Sequence, residues 1–143
     1  MEPVIQHREL AAWVARVFLG LLFFRQGYDT VFRIGVKNAV ASYESHFEQR
    51  GLSQVYSRIA GILTAYSELI GGVLIILGLF TTLGYCLLSL NIFIAVIGFL
   101  IIHPLPDLTH IFPRLGLLLF VLSLPADWDR YQMDKLLLTI TSQ

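Results

Sequence analysis

Glu68 is the residue best suited to chemistry, because it is an acid in a long apolar stretch, Tyr66–Thr82 (YSELIGGVLIILGLFTT). A charged side chain at the centre of a membrane costs at least about 2.5–3.5 kcal/mol, so it is expected to face protein rather than lipid. Arg16 is the matching base in the first apolar stretch. Ionisable groups in such positions bind ligands, move protons or form structural contacts, and the sequence leaves these roles open.

Small residues accompany both ionisable side chains at helical spacing. Arg16, Gly20 and Gly27 fall on one face of the first stretch, and Glu68 shares a face with Gly72. Small residues let helix backbones approach closely in lipid, so these faces are predicted to turn inward. Arg16 and Glu68 are then expected either to pair with each other or to be satisfied separately. The glycines predicted to mediate helix packing are Gly20, Gly27, Gly61, Gly71, Gly72 and Gly78.

Three further side chains are predicted to share a polar core with Arg16 and Glu68, namely Tyr66, Arg25 and Asn91. Such a core would line a ligand pocket or fix the register of the helices. Asn91, inside the third apolar stretch, is expected mainly to form a hydrogen bond to a neighbouring helix.

Metal and thiol chemistry have little support in the sequence. His103, Asp107 and His110 lie close together, but two prolines disturb helical presentation and no fourth ligand is nearby, so no metal site is predicted. The one cysteine, Cys86, excludes an internal disulfide and a CxxC redox pair, and a small core residue is expected there. No P-loop, GxSxG or HExxH motif is present.

The composition indicates that lipid is the main solvent. The chain has 143 residues, of which 56% are hydrophobic and 14% charged, whereas soluble domains carry about 25% charged residues. The formal net charge is zero and no basic stripe is present, so nucleic acid is not an expected partner.

Four apolar stretches are long enough, or nearly long enough, for the roughly 20 residues that a membrane-crossing helix needs. The N-terminus lacks a signal-peptide cleavage pattern, so the first stretch is expected to be a retained span. The second and third are separated only by Phe80–Thr82, which predicts an antiparallel hairpin. The predicted spans are about 10–30, 59–80, 83–102 and 112–128.

The segment of about 36–50 has a different pattern. Val36, Val40, Tyr43 and Phe47 recur every three or four residues beside charged side chains, which predicts an amphipathic helix at the membrane surface. The predicted fold is therefore a single all-α domain, a four-helix transmembrane bundle with this interfacial helix between the first two spans.

Three motifs resemble those of the DoxX-like family of small bacterial membrane proteins. They are Arg16-x3-Gly20-x6-Gly27, the stretch Glu68–Thr81 with its glycine pair, and the closing segment Asp129–Asp134. The resemblance implies four spans. It also implies a link to membrane oxidoreductases, since the family is named for the small subunit of an archaeal thiosulfate:quinone oxidoreductase.

The function expected from this resemblance is that of an integral subunit of a quinone-linked or redox-related complex in the bacterial cytoplasmic (inner) membrane. The expected partners are the lipid bilayer and other membrane subunits, with a quinone as the candidate ligand and no intrinsic cofactor. A non-catalytic scaffold or assembly subunit is the alternative. A small carrier is disfavoured, because no inverted repeat is visible.

Overall fold

The computed structural model describes residues 2–48, 54–102, 109, 111–125, 128–129 and 132–134. Regular structure within these ranges is entirely helical, which confirms the predicted all-α class. The elements in chain order are α1 (Glu2–Tyr28), a π-helical segment (Asp29–Gly35), α2 (Val36–Glu48), α3 (Gln54–Leu77), α4 (Thr81–Ile102) and α5 (Phe112–Ser123).

Three helical stretches among the described residues are long and apolar enough to cross a membrane: His7–Ser42, Ser57–Leu77 and Thr81–Leu100. They cover the first three predicted spans. At the fourth, α5 is apolar but has only 12 residues, or about 18 Å of helix, so length and composition alone do not make it a fourth span.

The connection after the first predicted span begins as a helix. After Tyr28 the chain stays helical through the π-helical segment and turns at Gly35, whose φ of +82° is readily adopted only by glycine. The exposed Arg25 and Arg33 both form ion pairs with Asp29, at 3.1 and 3.7 Å. A helix, α2, does form at the segment predicted to be amphipathic, and it packs against α3.

Helices α1 and α3 form the most extensive contact of the fold and run antiparallel. A Cβ atom built on Gly27 would lie 2.4 Å from the Leu69 backbone nitrogen, and one on Gly72 would lie 2.6 Å from that of Phe24. Only glycine allows these backbones to touch, and the contact sets α1 and α3 in a fixed register.

The turn between α3 and α4 begins earlier than predicted. Gly78, with φ of +67°, ends α3, and the Leu79 N–H donates to the Leu74 carbonyl while the Gly78 N–H donates to that of Ile75. This pair of bonds is the Schellman motif, which satisfies carbonyls at a helix end. Helix α4 begins at Thr81, so the predicted turn residues Thr81 and Thr82 belong to a helix.

A small apolar core lies between the helices, and many apolar side chains cover the outside. The core residues Leu19, Phe23, Ile75 and Leu88 come from α1, α3 and α4. Large exposed apolar side chains occur along α1, α3, α4 and α5, as expected where lipid replaces water. Cys86 is exposed on α4, so the expectation of a core cysteine was wrong.

Candidate functional site

A cavity of about 380 Å³ adjoins Glu68. Its volume lies within the range of about 300–1,000 Å³ that is typical of small-molecule sites. Most of the lining is apolar, and Ile97 of α4, which is 42% exposed, brings the cavity to the outer surface of the helices. The lining residues with polar or charged side chains are Gln26, Ser57, Thr64, Glu68, Asn91 and Arg114.

The carboxyl group of Glu68 is buried and anchored from α1. Only 2% of Glu68 is exposed, and the Gln26 side-chain amide donates a hydrogen bond to its Oε1 at 2.8 Å. Gln26 immediately precedes Gly27, the residue at which α1 touches the α3 backbone. The close approach of the two helices therefore brings the amide within reach of the acid.

Asn91 connects α4 to the same region of α3. Its buried side-chain amide donates to the Thr64 carbonyl at 3.1 Å and to the Ser67 hydroxyl at 3.3 Å, while the Ser67 hydroxyl donates to the Thr64 carbonyl. The predicted interhelical hydrogen bond of Asn91 is thus present. Asn91 also lines the cavity, so the bond holds one polar wall in place.

Arg114, near the start of α5, brings a cationic side chain to the cavity that Glu68 also lines. Its guanidinium carbon lies 5.7 Å from the centre of the Phe23 ring, which also lines the cavity. This cation–π geometry positions the side chain against α1.

Arg16 does not reach Glu68. Its guanidinium lies at the C-terminal end of α3, where Nη1 donates to the Ile75 carbonyl and, at 3.3 Å, to that of Ile76. These carbonyls belong to the negative end of the helix dipole, which a cation stabilises. Of the two arrangements expected for Arg16 and Glu68, separate satisfaction is the one observed.

The charge partner of Arg16 is Asp129, which follows α5. The Arg16 Nε and Asp129 Oδ2 atoms are 2.6 Å apart, and both residues are buried. The Gln132 side-chain amide donates to the same oxygen at 2.9 Å. This arginine clasp, defined here as Arg16, Asp129 and the end of α3, joins the C-terminal segment to α1 and α3.

Asp134 caps the start of α4 beside this clasp. Its carboxylate accepts hydrogen bonds from the Phe80 N–H at 2.8 Å, the Thr81 N–H at 3.0 Å and the Thr81 hydroxyl at 3.2 Å. Burial by itself raises the pKa of Asp134, but these bonds and the positive charge of Arg16 hold that pKa below its usual range. The ionised carboxylate thus serves as the N-terminal cap that α4 lacks locally.

Two members of the predicted polar core lie elsewhere. Tyr66 is 45% exposed and Arg25 is largely exposed in its ion pair with Asp29, and neither lines the cavity. Tyr66 is two positions before Glu68 on a helix, about 200° around the axis, which turns it to the opposite face. The same helical spacing, read from the sequence alone, could have excluded Tyr66 from the predicted polar core.

The predicted packing glycines occupy four kinds of position. Gly20, Gly27 and Gly72 lie between α1 and α3, and Gly71 lies against Leu88 of α4. Gly78 ends α3, and Gly61 lines the cavity.

Gln26 and Arg114 are site residues that sequence reasoning missed. The signal for Gln26 was its position next to a glycine expected to approach the second span. Arg114 carried no such signal, because only the return of α5 onto α1 brings it to the cavity. Within the described ranges, no group of three or more His, Cys, Asp or Glu side chains could hold a metal ion. His103, Asp107 and His110 lie outside these ranges.

The helices and the cavity together define a helical membrane protein with a mostly apolar pocket that contains a few polar groups. The chain belongs to the DoxX family, whose family model matches residues 11–104. This confirms the resemblance seen in the sequence. The match covers Arg16, Glu68 and Asn91, whereas Arg114 and the C-terminal partners of the clasp lie beyond it. No curated protein and no solved structure matches the chain.

Proposed function

We propose that the chain is a membrane subunit of a redox-related complex in the bacterial cytoplasmic membrane, and that its Glu68 cavity binds the ring of a lipid-soluble quinone. The observation that carries this proposal is the cavity of about 380 Å³ beside a buried carboxyl group. Membership of the DoxX family and three apolar helices support the membrane location.

The composition of the cavity lining suits a quinone. A quinone ring needs an apolar slot, hydrogen-bond donors for its carbonyl oxygens, and a proton source when it is reduced. The isoleucines, alanines and Phe99 supply the slot. The guanidinium of Arg114 and the second N–H of the Gln26 amide supply donors, whereas the Asn91 amide already donates to Thr64 and Ser67. Reduction of a quinone to a quinol takes up two electrons and two protons. Protonated Glu68 delivers one of the protons, and the second proton and both electrons come from a partner subunit in this proposal.

The route of entry is from the membrane. The exposed Ile97 at the cavity edge lies on α4, whose outer face is almost wholly apolar. Helix α4 also contacts α5 far less than α1 contacts α3. A ligand that is dissolved in lipid would therefore reach the cavity between α4 and α5 without crossing water.

We propose further that the chain crosses the membrane four times. Helix α4 starts at Thr81 and rises over 22 residues, about 33 Å, yet Asp134 is again in contact with Thr81. The chain between them must therefore return over the height of α4, and α5 lies on that return. The short α5 is then the described part of the fourth crossing. In this arrangement α2, with Lys37 and Glu48 exposed and Val40 buried, lies at the membrane surface.

A scaffold role is the second candidate, and the arginine clasp favours it. Arg16, the most deeply buried charge of the described residues, stabilises a helix end and holds the C-terminal segment rather than facing the cavity. A protein whose role is only to hold larger subunits would need this rigidity and no ligand.

Purification of the native protein from its membranes in a mild detergent distinguishes the two functions. Co-purifying chains and lipid extracts are identified for the wild type, Glu68→Gln and, as a matched control on the outer face of the same helix, Tyr66→Phe. Quinone that is retained by the wild type and Tyr66→Phe but lost from Glu68→Gln, with the partner chains unchanged, supports the binding function. A stoichiometric partner with no quinone in any of the three refutes it and leaves the scaffold.

A further inference from the structure

A second cavity lies at the other end of α1, away from Glu68. It has a volume of about 340 Å³ and runs between the first turns of α1 and the end of α5. Its lining residues are His7, Arg8, Ala11, Ala12, Phe120, Leu124 and Trp128. It shares no residue with the Glu68 cavity, so it is a separate site.

The surface of this groove is almost wholly apolar and is formed largely by the alanines, Phe120 and Leu124. The exposed His7 and Arg8 border it, one helical turn before Ala11 and Ala12. Small side chains at Ala11 and Ala12 leave space that the larger residues of α5 do not fill. Among the described side chains, Glu9 is the acid nearest in sequence, and it is buried and not part of the lining, so the described charge beside the groove is that of Arg8.

Arg8 is held in position by Trp128. The Arg8 guanidinium carbon lies 5.2 Å from the centre of the Trp128 ring, a cation–π distance that holds the charged end of Arg8 beside the groove. Tryptophan is enriched where membranes meet water. The first apolar stretch long enough to cross a membrane starts at His7, so Arg8 and His7 are expected at the level of the lipid headgroups and the apolar groove below them.

We propose that this groove binds one anionic phospholipid, with its phosphate at Arg8 and His7 and one acyl chain along Ala11, Phe120 and Leu124. Charge complementarity selects this occupant, since basic pockets between membrane helices are known to hold anionic headgroups. A purely apolar partner would leave Arg8 unused, and a soluble anion would leave the apolar groove empty. The bound lipid fastens the start of α1 to the end of α5, next to the arginine clasp.

Native mass spectrometry of the purified protein tests this proposal. The protein is incubated with equal amounts of phosphatidylglycerol and phosphatidylcholine of identical acyl chains. The wild type is expected to retain one phosphatidylglycerol in preference by about fivefold, the effect of one arginine near a membrane surface. Arg8→Gln loses this preference and Arg8→Lys keeps it. Ala11→Phe, which fills the groove at an exposed position of α1, reduces the binding of both lipids.

Arg58→Gln is the matched control, because Arg58 is exposed near the start of α3, at the opposite end of the helices. It is expected to retain the wild-type preference. Equal binding of the two lipids by the wild type overturns the proposal. So does an equal loss in Arg58→Gln and Arg8→Gln, which indicates general surface charge. Displacement of the lipid by free glycerol phosphate also overturns it, since the site would then recognise an anion rather than a lipid.

Discussion

Replacement of Gly27 by alanine tests the contact between α1 and α3 on which the Glu68 site depends. The new Cβ atom would lie 2.4 Å from the Leu69 backbone nitrogen, 2.8 Å from its Cα and 2.9 Å from the Glu68 carbonyl carbon. Ordinary contacts between such atoms are about 3.5–4.0 Å, so α1 would have to withdraw by about 1 Å. No side-chain rotation relieves the clash, because all three atoms belong to the backbone.

The expected loss of unfolding free energy in Gly27→Ala is estimated by comparison with Gly116→Ala. Gly116 is an exposed position of α5 with nothing within 4 Å of an added Cβ. Both variants exchange helical glycine for alanine, so their difference isolates the clash. Overpacking typically costs about 1–3 kcal/mol, and a backbone clash belongs at the upper end, so Gly27→Ala should be less stable than Gly116→Ala by about 2 kcal/mol or more.

Unfolding in mixed micelles with increasing SDS, followed by circular dichroism, measures this difference. A withdrawal of about 1 Å would also stretch the 2.8 Å bond from Gln26 to Glu68 beyond hydrogen-bonding distance. Gly27→Ala should therefore also retain less ligand in the Glu68 cavity. If both alanine variants unfold at the same SDS fraction as the wild type, the close contact of the helix backbones is refuted.

Three predictions concern the arginine clasp and its surroundings. Arg16→Met should cost about 3–5 kcal/mol of unfolding free energy because it leaves a buried Asp129 without this partner. The double variant with Asp129→Leu should recover part of the loss, and additive effects in the double-mutant cycle would contradict the pairing. Gly78→Ala should cost about 1–2 kcal/mol, because alanine is strained at φ of +67°; stability equal to the wild type would argue against this turn. The lowered pKa of Asp134 means that its stabilising cap is fully present above the usual aspartate pKa of about 3.9 and is lost as the pH falls through the folded value. The pH dependence of unfolding between pH 6 and about pH 2 should therefore weaken in Asp134→Asn, and an unchanged profile would show that the carboxylate does not cap α4.

The sequence predicts most of the fold because membrane helices are determined largely by local composition. The spans that became α1, α3 and α4, and the glycines between α1 and α3, follow from apolar length and small-residue spacing. The end of α3 was misplaced by a few residues because Gly78 was assigned to packing rather than to the left-handed cap that it forms.

The candidate site was predicted only in part. Glu68 and Asn91 were identified from their polarity in apolar surroundings, and the structure brings both to the cavity. The partner of Arg16 could not be predicted, because Asp129 is 113 positions away and reaches it only through the return of the chain after α4. Arg114 likewise reaches the cavity only because the chain returns onto α1 after α4. Contacts of this kind depend on tertiary packing, which local patterns do not encode.

Equilibrium binding of a short-chain quinone to the purified protein in lipid nanodiscs tests whether the Glu68 cavity is a quinone site. The wild type is expected to bind one quinone saturably. Ala60→Phe, which fills the Glu68 cavity, should weaken binding by about tenfold or more, since overpacking of a site costs about 1–3 kcal/mol. Ile59→Phe, one position away and facing outward, should bind as the wild type does. Absence of saturable binding above protein-free nanodiscs, or equal binding by both phenylalanine variants, would contradict the account.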